Sequence, residues 1–140
     1  MAIYNAFASI LLALIAWSVS TFFHETAHAL MCKVMHCKLI SVKALFLFFD
    51  GKKLSFQLKG KNHCAFSSSS KRTMKVIVAA GPLIEFIICI ICMLGALAAQ
   101  QAWIRNGLWL AAFFIFVSII YNLLPMANGD GRLLFGKGES

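Results

Sequence analysis

Residues 6–23 run for 18 positions without a charged side chain and lead directly into His24-Glu25-Thr26-Ala27-His28. An uncharged run of that length approaches the ~20 apolar residues that a helix needs to cross the hydrocarbon core of a bilayer. On a helix, residues four apart share a face, so His24 and His28 can hold one metal ion between them. Glu25 lies beside them, where a carboxylate can take a proton from water activated at a metal. Chance explains this poorly: a shuffled chain with four His and three Glu contains His-Glu-x-x-His roughly 0.002 times. The bland alternative is a pair of hydrogen-bonded core histidines, but ionisable groups within spans are costly and usually functional.

Two more apolar runs follow. Residues 76–99 carry one charge, Glu85, and residues 108–124 carry none. With 61% hydrophobic residues, well above the near-half share of soluble domains, the chain reads as an integral membrane protein. The expected architecture is an all-α polytopic membrane protein with spans at about 6–31, 76–99 and 108–124. Three spans leave no material for a soluble domain, so 1–140 reads as one unit. The first run lacks the basic start and small-residue cleavage site of a signal peptide, and is expected to be retained.

The net charge of +8 looks like a nucleic-acid signal until the charges are located. Ten of the 13 Lys and Arg fall between the first two spans, from Lys33 to Lys75. Basic residues collect on the cytosolic side, which puts this segment and the C-terminus in the cytosol and the N-terminus outside. In a bacterium the host bilayer would be the plasma membrane. The same charges favour anionic lipid headgroups, and nothing else supports a nucleic-acid partner.

The first helix should run from near the N-terminus through His28 to about Met35. His28 lies five residues before Lys33, about 7.5 Å of helix, so the motif sits a turn or two below the cytosolic surface. Further on, Leu54, Phe56 and Leu58 alternate with polar residues, a strand pattern, and residues 39–49 are rich in strand-formers. Asp50-Gly51 between them is a two-residue hairpin signal. A membrane-associated β-hairpin over about 39–59 is expected, as a shelf at the mouth of the site or a connector on the headgroups. Residues 61–75 read as a flexible polar loop.

In the second span, Gly81 admits close approach of another backbone and Pro82 frees a carbonyl and bends the axis. Glu85, one turn on, needs a partner or a proton. Residues 128–131, Asn-Gly-Asp-Gly, read as a tight turn after the third span, on the same side as the histidine pair. The five cysteines suggest no disulfides: Cys32, Cys37 and Cys64 lie on the reducing side, and Cys89 and Cys92 are span packing residues.

Catalytic zinc usually takes three protein ligands and leaves a fourth position for water. Asp50 and Glu139 fall in exposed segments, Glu85 is expected deeper, and His36 and His63 would need the chain to fold back. A zinc role for Cys32 or Cys37 with His36 is conceivable but ranks lower. Asp130 is the best third ligand on topology.

Residues 122–131, Asn-Leu-Leu-Pro-Met-Ala-Asn-Gly-Asp-Gly, resemble the second signature of the site-2 protease family of intramembrane metalloproteases. With the His24–His28 motif and Gly81-Pro82, three markers stand in family order across nearly the whole chain. The resemblance implies a three-helix catalytic core, zinc (Zn2+) held by His24, His28 and Asp130, and Glu25 as general base. It implies that the hairpin receives substrate as an added strand. It also implies substrate contacts for Asn122 and for Glu85, which stands where the family has an Asn. A carboxyl could act there as Asn does only in its neutral form; the alternative for Glu85 is a packing role paired with Asn122. Gly129 replaces the family's usual Leu, a difference that bears on packing more than on chemistry.

The function expected is a zinc-dependent intramembrane endopeptidase acting on a membrane-spanning or membrane-associated protein or peptide near the cytosolic side. The alternative is a non-catalytic relative that binds a membrane partner. An intact Glu25 argues against it, because loss of the base is the simplest route to such a protein.

Overall fold

The computed structural model describes residues 2–57, 62–67, 70–125 and 130–135. Three long helices dominate: α1 (Ala2–Val34), α2 (Lys71–Ala98) and α3 (Ala102–Leu123). Each is long and apolar enough to cross a membrane, which marks the chain as a multi-pass membrane protein. At ~1.5 Å per residue, α1 reaches about 50 Å, more than a ~30 Å hydrocarbon core requires. Large apolar side chains such as Phe7, Leu11, Phe86, Leu94, Phe113 and Phe116 are exposed around the helices, as expected where the solvent is lipid.

Where the three helices meet, the buried residues are small: Ala13, Cys89, Cys92, Ala111 and Ala112, with Ile115 and Ile119 filling the remaining space. Lipid tails are as apolar as leucine, so spans gain by packing backbones closely, and small residues allow that. Two of the polar side chains near the interface find backbone acceptors. Ser9 Oγ donates to the carbonyls of Asn5 and Trp103, and Cys89 Sγ to that of Ala112.

Between α1 and α2 lies a four-stranded antiparallel sheet rather than a simple hairpin. Its strands are β1 (Lys38–Ala44), β2 (Leu47–Phe49), β3 (Leu54–Phe56) and β4 (His63–Ser67), in the order β3-β2-β1-β4. The strand-forming run 39–49 breaks at Leu45, whose φ is +55°, and its N–H donates to Asn62 Oδ1 at 3.0 Å. The Asp50 turn is wider than two residues, because Phe49 pairs with Leu54 and Asp50 Oδ1 accepts from the N–H of Lys52 and Lys53.

The segment read as a polar loop is largely ordered. β4 pairs with β1 from Lys38↔Ser67 to Lys43↔His63, and α2 begins at Lys71, within the basic stretch. Of the turn expected at 128–131, only Asp130 and Gly131 are among the described residues. They open a short helix, α4 (Asp130–Phe135); Leu58 and Glu139 also lie outside the described residues. A side chain on Gly131 would collide with the carbonyl of Leu123, so glycine there lets α4 tuck against the end of α3. That packing brings Asp130 to the histidine pair.

Candidate metal centre

His24 and His28 occupy successive turns of one α1 face, and both are buried. Their rings meet edge to face with centroids 4.7 Å apart. α2 runs antiparallel against this face and presents Ile77, Gly81 and Glu85, again four residues apart, as one stripe. The stripe fits the rings position by position. His28 Nδ1 lies 2.9 Å from the carbonyl oxygen of Ile77. Gly81 lies against both rings, where a Cβ would collide with His28 and His24. Glu85 Oε2 lies 3.2 Å from His24 Nδ1, at ion-pair distance but without a hydrogen bond.

The other ring nitrogens converge on Asp130. His24 Nε2 and His28 Nε2 are 3.1 Å apart, and Asp130 Oδ2 is 3.1 Å from the first and 3.2 Å from the second. This triangle matches a metal donor set. Ligands ~2.0–2.1 Å from a tetrahedral ion stand roughly 3.3 Å apart. In the neutral His28 ring, Nδ1–H donates to Ile77, which leaves the Nε2 lone pair facing the triangle. Asp130 Oδ2 is buried and has no hydrogen bond despite its two nitrogen neighbours. Two imidazole nitrogens and a carboxylate oxygen crowded this closely are an arrangement that a cation can hold together. Among the described residues, His24, His28 and Asp130 form a group that could hold a metal ion.

A cavity of about 460 Å³ opens onto the triangle. Glu25, Asn122 and Val78 line it, together with Arg132 and Leu133 of α4 and Asn62, His63, Cys64 and Phe66 from the β4 end of the sheet. Burial alone would raise the Asp130 carboxyl, but hydrogen bonds and positive charge from the His24 and His28 rings in the metal-free protein outweigh it and hold it down at about 2. Burial, reinforced by the nearby Glu25 carboxyl, pushes the Cys64 thiol up to about 12, and it faces the cavity as a neutral thiol.

The structure brings His24, His28, Asp130, Glu25 and Asn122 to one place and sets Glu85 behind His24 rather than on the cavity wall. Ser118 Oγ–H donates to Glu85 Oε1 at 3.0 Å and Asn122 Nδ2–H to Glu85 Oε2 at 3.3 Å. Glu85 lies level with His24, the deeper of the two histidines. The signal was available: His24 lies nine residues before Lys33 and Glu85 ten after Lys75, which puts both about 14–15 Å from the basic ends of antiparallel helices. His63 does fold back to the cavity through β4, without joining the ligand group, whereas His36 and Asp50 stay exposed in turns. The wall contributed by β4 was missed because its residues read as loop; the Cys-Ala-Phe run at 64–66 was the only hint of a strand.

Comparison with protein-family models, with curated proteins and with solved structures finds no match to this chain.

Proposed function

We propose that the chain is a zinc-dependent intramembrane endopeptidase that cuts a membrane-spanning or membrane-associated protein or peptide near the cytosolic face. The observation that carries this reading is the closed triangle of His24 Nε2, His28 Nε2 and Asp130 Oδ2, with Glu25 on the same cavity and all of it set among helices fit to span a bilayer. Two imidazoles and one carboxylate are a zinc-type donor set that leaves a fourth position open. When bound, zinc supplies Lewis-acid chemistry that acidifies water and polarises a peptide carbonyl.

The remaining work falls to this chain's side chains. Glu25 takes the proton as the water oxygen adds to the scissile carbonyl carbon, then returns it to the departing amine nitrogen as the C–N bond breaks. Asn122, half-buried on the cavity wall, offers an amide to the substrate backbone. An extended substrate can pair with β4, the outermost strand among the described residues on the cavity side of the sheet. The concentration of basic residues between Lys33 and Lys75 puts the sheet and the C-terminus in the cytosol and the N-terminus outside.

The test is cleavage. Single-span proteins carrying a cytosolic reporter are co-expressed with the wild type and with Glu25→Gln, and scored for a shortened cytosolic product. A product that needs Glu25 and disappears on zinc chelation supports the reading; a product equally abundant with Glu25→Gln overturns it.

A further inference from the structure

We propose that Glu85 is a positioning residue that acts through His24, holding the imidazole so that its Nε2 faces the metal centre. The inference rests on His24 being a metal ligand. Glu85 is 1% exposed, and a carboxyl that deep within an apolar helix is kept only where it is well partnered. Its partners come from two helices. Oε1 accepts from Ser118 Oγ–H and Oε2 from Asn122 Nδ2–H, both on α3, and Oε2 lies 3.2 Å from His24 Nδ1 on α1. Asn122 Nδ2 also lies 3.5 Å from Ser118 Oγ, which closes a small polar network behind the ring.

The comparison with His28 shows what the network does. Ile77 and Glu85 stand eight residues apart on one α2 stripe, and each faces the Nδ1 of one histidine. Facing Nδ1 of His28 is a backbone carbonyl at hydrogen-bond distance; facing Nδ1 of His24 is a carboxyl oxygen 3.2 Å away. Turning Nδ1–H toward an acceptor fixes the tautomer that leaves Nε2 with its lone pair, and a carboxylate also makes that nitrogen a stronger donor. Gly81 between them lets α2 come near enough for both contacts. Ser118 and Asn122 hold the carboxylate in place, so α3 braces the centre without supplying a ligand.

The contact is read by zinc affinity, which needs no substrate. Glu85→Met fills the same space without an acceptor, and Glu85→Gln restores an oxygen. In competition against a zinc chelator, Glu85→Met is expected to bind zinc about 10–100-fold more weakly than the wild type, with Glu85→Gln recovering most of the loss. The visible spectrum of the cobalt-loaded protein should shift in Glu85→Met. Circular dichroism of both variants should match the wild type. If Glu85→Met holds zinc as tightly as the wild type and its cobalt spectrum is unchanged, Glu85 serves packing or substrate and the inference is wrong, while the metal centre stands. Equal losses in the Met and Gln variants would also overturn it, because the acceptor oxygen would then be irrelevant. A wild type that binds no zinc would overturn the ligand assignment along with it.

Discussion

Gly81 of α2 lies so close to His28 of α1 that any side chain at position 81 would occupy the space of the imidazole. The neighbour cannot give way freely, because the other side of the His28 ring is held by the carbonyl of Ile77. Gly81→Ala is therefore expected to displace the ring and lower zinc content severely. Overpacking of this kind costs about 1–3 kcal/mol, so the helices should still form. Gly95→Ala, in the same helix, would meet a Leu108 methyl at 3.2 Å, and serves as the control with normal zinc content. Equal zinc in the two variants would show that the α1–α2 contact does not shape the centre.

Glu25→Gln keeps the size of the side chain and removes the proton acceptor. Turnover should fall on the order of 10²–10⁴-fold, with zinc content unchanged. Undiminished cleavage would require a different base.

Asp130→Ala removes the one anionic atom of the triangle. Zinc content should fall from about one per chain, the complement of a three-ligand catalytic site, to a small fraction of it. Full retention of metal and activity would move the third ligand elsewhere.

Cys64 gives a pH-dependent signal at the cavity wall. Burial, with the Glu25 carboxyl nearby, holds its thiol up at about 12. At pH 8 in the zinc-free protein it should carry about a thousandfold less thiolate than a free cysteine of pKa ~8.5, and react with alkylating reagents correspondingly slowly. Its rate should keep rising with pH well beyond 9. A rate that levels off near pH 8.5 would mean that Cys64 is not shielded as the structure has it.

Much of the fold could be read from local signals. Hydropathy found the three helices because a span is a continuous run, and the four-residue spacing of His24 and His28 put two donors on one face. The sheet was harder. β1 pairs with β4 across a long intervening segment, as in Leu39↔Phe66, and no local pattern reports such a pairing. β4 also stands between lysine- and serine-rich stretches that look like loop. The Glu85–His24 contact depends on how two helices lie against each other, and it follows only when depth is counted from both basic ends.

Topology can be checked without any substrate. A reporter fused after Ser140 should behave as cytosolic, and a cysteine placed at Asn62 should resist impermeant label applied from outside. The opposite pattern would invert the orientation and move the centre to the other leaflet.

X-ray absorption at the zinc edge of the purified protein tests the centre most directly. The expected spectrum shows nitrogen and oxygen ligands at ~2.0–2.2 Å, the multiple scattering of two imidazoles, and no sulfur. A sulfur shell at ~2.3 Å, or imidazole scattering that survives in full when His24 and His28 are both replaced, would contradict the assignment of His24, His28 and Asp130 as the ligands.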